Sequence, residues 1–404
     1  SISCLFWNLN ESIMKQISVI IPTYHFADVA KLVIENTINQ TLPPSEIIVI
    51  DSSEDYLIKD SIESLRSEIP IIYHRVTKLF PGEARNKGFE LAKYDWLAFL
   101  DSKTIPVSNW LKTSIDFLEK NNFDVVFGST QYLATSSFQM ELRACSFGKQ
   151  RIETSPGSVI SRENFIKSGG FQENVRTGDD LAWRNTMKSL GFSGSQPNEV
   201  TLTYNELPTK LFETIKRFFV YQLHGSKVHI QNTNKNIILS FVLIFLTILI
   251  PKWNALVGWE DSILYIPNIT KIYVLFLIFS SFIILLFKRK LVKEYSGSLL
   301  GFTFFIIIFM SLFFCAFYWN DSIAGWVEDS VWYFPHITKI YIGFILFCSL
   351  FYRGVYFPLR HGYRTHELLP FWWIKVGFLG LLLDFAKAPG YLLGALIQLL
   401  SNKK

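Results

Sequence analysis

The chain has 404 residues, of which 50% are apolar and only 18% charged, with Lys+Arg 39 against Asp+Glu 34 and a net charge of +5. Soluble domains carry about 25% charged residues, so this composition, with a mean hydropathy of +0.25, excludes a disordered chain, a disulfide scaffold and an ordinary one-domain soluble enzyme. The small, dispersed positive charge gives no nucleic-acid footprint, and the four cysteines lack CxxC spacing, so neither a zinc site nor a disulfide framework is supported.

In chain order, residues 1–16 read as an N-terminal extension. The apolar stretch before Met14 is too short for a signal peptide and has no basic residues ahead of it. Residues 17–24 (ISVIIPTY) form a continuous apolar, β-branched run, as a buried parallel strand requires. A helix is predicted over 27–39, a strand over 46–50, a helix over 57–67 and a strand over 69–75. A helix over 83–92 follows the Pro81-Gly82 turn, and a strand covers 96–100. Alternating strands and helices imply a doubly wound sheet with ligands at the carboxyl ends of its strands. Three polar clusters fall at such ends: Pro22-Thr23-Tyr24, Asp51-Ser52-Ser53 and Asp101-Ser102-Lys103.

The segments IIPTY, IIVIDSSED, PGEARNKGFELA, WLAFLDSKTIP and GGFQENVRTGDDLAWR, in this order, resemble a family 2 glycosyltransferase. The resemblance implies a GT-A fold, a Rossmann-like α/β domain over 17–230. It also implies a nucleotide-diphosphate sugar donor, usually a divalent Mg²⁺ or Mn²⁺, and a lipid-linked acceptor for membrane members. Pro22, Thr23 and Tyr24 would line the base pocket, and Asp51, with Ser53, would meet the uracil or ribose edge. Arg85 and Asn86, near a helix N-terminus, suit a diphosphate. Asp101 matches the first aspartate of the metal-binding DxD, but the second position is Lys103. A lysine offers a hard cation no ligand and repels it. Either the Lys103 ammonium replaces the metal beside the leaving diphosphate, or the protein is silent or takes an unusual donor. Asp180, in the acidic Gly178-Asp179-Asp180 cluster, fits the general base of an inverting transfer. Asp179 is expected to cap the following helix and to raise the pKa of one carboxyl of the pair.

Beyond the globular part, 216–221 (KRFFVY) reads as an interfacial helix, and a QxxRW motif of processive synthases is absent. Four apolar runs (236–257, 267–287, 298–319 and 335–352) are near the ~20 residues that a bilayer crossing needs. They form two repeated hairpins. Gly258-Trp259-Glu260-Asp261-Ser262 recurs as Gly325-Trp326-Val327-Glu328-Asp329-Ser330, and Ile269-Thr270-Lys271-Ile272-Tyr273 as Ile337-Thr338-Lys339-Ile340-Tyr341. Basic residues 288–293 and those after 352 face the cytoplasm by the positive-inside rule, and so does the N-terminal domain. The stretch 371–400, broken by Asp384, Lys387, Pro389 and Gly390, reads as a re-entrant or interfacial helix pair, with Asp384 and Lys387 placed to pair.

The sequence therefore predicts a multi-pass membrane protein with a cytoplasmic inverting glycosyltransferase domain, which acts on a lipid-linked, polyprenyl-type acceptor in cell-surface glycan synthesis. Transfer onto a polyprenyl phosphate and a catalytically silent nucleotide-sugar-binding scaffold are the alternatives.

Overall fold

The computed structural model describes residues 15–225, 347 and 350–401. The chain forms two compact units, 1–231 with 352–404, and 232–351. The expected crossings at 236–257, 267–287 and 298–319 lie outside the described residues, as does nearly all of 335–352. Among the described residues, no helix is long and apolar enough to cross a membrane.

The first unit is built on a sheet whose central strands are buried along their whole length. They are β1 (Ile17–Thr23) and β2 (Glu46–Asp51). β1 pairs in parallel with β2 on one side and with β4 (Trp96–Phe99) on the other, and β2 pairs in parallel with β3 (Ile71–Arg75). Helices cover both faces, which is why these strands read as unbroken apolar runs rather than alternating ones. Alternation persists underneath. Ile17, Val19 and Ile21 pack with α1 (Ala27–Ile38), α2 (Leu57–Glu63) and α4 (Trp110–Asn121). Ile20, Ile48 and Ile50 face α3 (Pro81–Leu91), α6 (Arg162–Lys167) and α7 (Asp179–Ser189). Each fully buried isoleucine contributes about 1.5–3 kcal/mol.

The doubly wound expectation holds for β3-β2-β1-β4 and stops there. Beyond β4 the order continues β7-β6-β9-β5, with β7 (Ile152–Ser161) antiparallel to both β4 and β6 (Val125–Tyr132). The short strands β5 (Thr104–Pro106), β8 (Gly194–Ser195) and β9 (Leu202–Tyr204) complete a nine-stranded mixed sheet. β6 bulges between Val126 and Gly128. There the backbone of Pro156 comes so close that a Cβ on Gly128 would lie 1.9 Å from its carbonyl oxygen.

α5 (Ser137–Ser146) and α8 (Leu211–Gly225) pack against a C-terminal segment: a π-turn Tyr352–Tyr356, α9 (Phe357–Arg360), α10 (Thr365–Leu368) and α11 (Trp372–Ser401). Two expectations change here. The stretch 371–400 was expected as a helix pair but forms the single helix α11, because the polar residues expected to break it are satisfied in place. Asp384 accepts from Arg353 Nε and Nη2 at 2.7 and 2.6 Å and from Lys387 Nζ at 3.2 Å. The expected pairing of Asp384 with Lys387 is present. Gly390 lets α11 pass close to α8, since a Cβ there would lie 2.5 Å from the Phe219 carbonyl oxygen. The second change concerns α8, expected at a lipid interface with its aromatic face. Instead, Ile215 and Phe218 pack on Leu142, Cys145, Val376, Leu379 and Leu383, and Arg217 turns toward the sheet.

Candidate active site

At the carboxyl ends of β1 and β2 the chain ties itself together around Asp51. Its Oδ1 accepts from the Ser53 backbone N–H at 2.9 Å and from Thr23 Oγ1 at 3.3 Å, and its Oδ2 accepts from Tyr73 OH at 2.8 Å. Burial, and then the bond to Asp51, raises the Tyr73 hydroxyl above its ordinary value. Ser53 Oγ accepts from the His25 backbone N–H at 2.8 Å. Asp51 is 0% exposed, and Pro22, Thr23 and Ser53 are buried too. Of the residues expected to touch the donor base, Tyr24 is exposed, while Pro22, Thr23, Asp51 and Ser53 are buried at the strand ends. Sequence reasoning missed Tyr73, whose only signal was a phenol on β3 in register next to the Asp51 strand, and Tyr56. Tyr56 is exposed, with the Arg75 guanidinium 4.0 Å from its ring centre.

The second cluster centres on Arg85, in the first half of α3. Pro81 occupies the first turn, and Glu83 accepts from the Phe80 backbone N–H at 2.8 Å, so the helix start is fixed. Gly82 is required by contact: a Cβ there would lie 2.6 Å from the Gln172 carbonyl oxygen and 3.2 Å from Asp179 Cβ. This close approach sets α3 against the start of α7. Arg85, 2% exposed, then donates from Nη1 to Asp179 Oδ2 at 2.7 Å and from Nη2 to Asp101 Oδ1, so one guanidinium spans both carboxylates. The Arg85 Nε has no hydrogen-bond partner, and the guanidinium lies 5.0 Å from the Phe171 ring centre.

Asp179, 4% exposed, is pushed up to about 7, by burial first and against the pull of Arg85. The expected shift of one carboxyl in the pair is therefore found, on Asp179. Asp179 was also expected to cap α7. Gly178, with a φ of 90°, takes the cap position instead, and no side chain caps the helix. The reason is that the Asp179 carboxylate is drawn away to Arg85. Asp180, half-buried, accepts from the Leu181 N–H at 2.8 Å on Oδ1, while its backbone carbonyl accepts from Ser155 Oγ at 3.0 Å.

Asn86, expected near a diphosphate, clamps the loop before α7 in this structure. It donates to the Phe171 carbonyl at 2.9 Å and accepts from the Phe171 N–H at 2.9 Å. Its Nδ2 also donates to Glu173 Oε1 at 3.3 Å. Lys103 lies with its Nζ 3.4 Å from the centre of the exposed Phe26 ring. Partial burial, and then Arg217, lowers its pKa. Arg217 from α8 donates to Tyr204 OH at 2.7 Å and to Tyr221 OH at 2.6 Å. It was missed as a site residue, because only the tertiary packing of α8 turns it inward.

The set that gathers here is thus Arg85, Asp101, Asp179 and Asp180; Lys103 feels Asp101 and Arg217, and Tyr132 feels Asp180, Arg217 and Asp101. As a holder of Mg²⁺ or Mn²⁺ it fits poorly. Asp101 already carries a guanidinium, its DxD partner is a lysine, and no group of three His, Cys, Asp or Glu suited to a metal occurs among the described residues.

Residues 18–172 match the family model described as Glycosyl transferase family 2. An uncharacterized glycosyltransferase of Rickettsia bellii is 27% identical over 206 residues, covering 48% of this chain and 30% of that protein. The chain thus spans about a third of that curated relative's length. The UDP-Glc:alpha-D-GlcNAc-diphosphoundecaprenol beta-1,3-glucosyltransferase WfgD of Escherichia coli is 29% identical over 122 residues, 30% of this chain and 48% of that protein. Among solved structures, the mannosyltransferase PcManGT of Pyrobaculum calidifontis, in complex with GDP-Man and Mn²⁺, has a TM-score of 0.41 at 18% identity, covering 54% of this chain and 64% of that one.

Proposed function

We propose, from the match of residues 18–172 to the family model described as Glycosyl transferase family 2, that the protein is an inverting glycosyltransferase. It moves a sugar from a nucleotide-diphosphate sugar to a lipid-linked acceptor at the cytoplasmic face of a membrane. The observation that carries this reading is the guanidinium of Arg85 spanning Asp101 and Asp179, with Asp180 one residue further on. Arg85 fixes the two buried or half-buried carboxylates as a rigid floor. Asp180, not claimed by Arg85, takes the proton of the acceptor hydroxyl as that oxygen attacks the anomeric carbon. The bond from that carbon to the diphosphate breaks on the opposite face. The leaving charge then falls to the Lys103 ammonium, which has one positive charge where a metal would have two. Tyr24 offers a stacking face for the base. A lipid-linked acceptor is supported by the WfgD relative, named for a diphosphoundecaprenol-linked substrate, and by the four apolar runs that follow the domain.

The test is a donor screen with the purified protein in lipid, with and without EDTA. Turnover that survives chelation supports the Lys103 role, and strict metal dependence overturns it. Asp180→Asn is expected to lower turnover about 10²–10⁴-fold while leaving donor binding intact. Retention of most of the rate would point to a phosphate acceptor, which needs little deprotonation. Binding of a UDP- or GDP-sugar with neither transfer nor hydrolysis would point to the silent scaffold.

A further inference from the structure

We infer that Arg217 of α8, together with Lys103, forms the site for the diphosphate of the nucleotide donor, so that the protein itself supplies two positive charges there. This rests on the transferase reading and adds to it the residue that meets the diphosphate. Strand pairing brings the two cations to one edge of the sheet. Lys103 directly precedes β5, and Thr104, the first residue of β5, pairs with Tyr204 of β9. Thr104 Oγ1 donates to the Asp101 carbonyl at 3.1 Å and accepts from the Asp101 N–H at 3.1 Å, which ties this turn to the end of β4. The Tyr204 hydroxyl accepts from Arg217 Nη2 at 2.7 Å, and so draws the guanidinium of α8 to the same strand end. Residue 217 lies outside the segment 18–172 that matches the family model.

Neither cation has a counter-ion among the described residues. Arg217 donates only to neutral oxygens: the Tyr204 and Tyr221 hydroxyls and, at 3.4 Å, the Glu206 carbonyl. Its fork therefore keeps N–H groups to spare. Lys103 Nζ meets the face of Phe26 and no hydrogen-bond acceptor, and the nearby Asp101 carboxylate is held by Arg85. Burial first, and then Arg217, lowers the Lys103 pKa, although Glu206, Glu213 and Asp101 pull the other way at longer range. Half-buried cations without a counter-ion favour an anion between them. Position identifies that anion. Lys103 rests on Phe26, two residues past Tyr24, the exposed aromatic at the end of β1 that offers a face to the base. A diphosphate attached to a nucleoside at Tyr24 reaches this pair, and phosphate oxygens match the planar donors of a guanidinium. The acceptor oxygen bonds to the anomeric carbon and its proton passes to Asp180. The electron pair of the breaking carbon–oxygen bond stays on the diphosphate, where two fixed cations meet the added charge.

The experiment is isothermal titration of the full chain in nanodiscs with excess EDTA, comparing UDP with UMP and GDP with GMP. The native protein is expected to bind the diphosphate of one base about 100-fold more tightly than its monophosphate, from about tenfold for each cation. Arg217→Gln and Lys103→Met should each lower that ratio about tenfold while monophosphate binding is kept. Arg217→Lys, which keeps the charge but not the planar fork, should lose less than Arg217→Gln; an equal loss would overturn the inference. Equal weakening of monophosphate and diphosphate would leave Arg217 a packing role only and overturn it too. An unchanged ratio in Arg217→Gln, with weaker capture of undecaprenyl diphosphate from the nanodisc, would give the cations to the acceptor and overturn the donor assignment. Native turnover of a nucleotide sugar with a ratio that ignores Arg217 overturns this inference alone, whereas a native protein that binds no nucleotide overturns the transferase reading with it.

Discussion

A single side chain, Arg85, decides the electrostatics of the candidate site. With 2% of its surface exposed it neutralises Asp179 and Asp101 at once. Arg85→Met would leave both carboxylates without their cation, and loss of one partner of a buried ion pair costs about 3–5 kcal/mol. A marked fall in the thermal midpoint of the purified protein is the expected outcome. Arg85→Lys should lose activity too, because a point ammonium cannot span two carboxylates as a planar fork does; single-turnover rates would show it. Asp179 makes the site sensitive to pH. Its carboxyl titrates at about 7 in the folded protein, whereas unfolded aspartates titrate near about 3.9. Between those values the folded state holds the extra proton, so stability falls as pH rises from about 4 to about 7. Thermal midpoints across that range should decline more steeply for the native protein than for Asp179→Asn. The sequence already singled out Arg85, Asp101, Asp179 and Asp180. The bracing bonds that Asn86, Asp51 and Ser53 make were not legible, because a polar residue at a strand end can face a ligand or brace the backbone, and only the neighbours show the second role.

At the scale of elements, close approaches set the site. Gly82 admits the Gln172 carbonyl and thereby seats α3 against α7. Gly82→Ala should loosen this seating, seen as faster hydrogen exchange in residues 169–183 while β1 and β2 keep their protection. The C-terminal segment is held by the Arg353–Asp384–Lys387 cluster against α5 and α8. Asp384→Ala would leave two cations in a largely apolar surround, at a cost of about 3–5 kcal/mol. Exchange should then rise in α11 and in α8 together. The predicted strands and helices of the first hundred residues match the fold closely, since a buried parallel strand must be apolar throughout and a helix on it must be amphipathic. The strands after β4 were not predicted: β5, β8 and β9 are short, and the longer β6 and β7 run antiparallel and are interrupted by Gly128 and Gly157, so they lack a clean period.

For the whole molecule, the chain order is a mixed-sheet unit, a second unit over 232–351, and a return segment that rejoins the first. The positive-inside pattern of the sequence predicts residues 288–293 on the same side of a membrane as the N-terminal domain. In sealed vesicles with the first unit outward, protease should therefore cut at that lysine-rich stretch while the acidic loops near 260 and 328 stay protected. Protection of 288–293 would reverse the topology. That residues 352–401 would fold back on α5 and α8 was not legible, because nothing local in α11 marks the face that meets α5 and α8.

The sequence by itself determined the parallel half of the sheet, the family resemblance and the acidic cluster, because burial on two faces and chemistry at strand ends leave local, periodic marks. The tertiary structure decided which of those polar groups share a guanidinium, which ones bond to the backbone around them, and that Arg217 and α11 belong to the same unit as the site. Those outcomes depend on contacts between residues up to about two hundred positions apart, such as Cys145 with Arg353. No window of sequence holds both partners of such a contact.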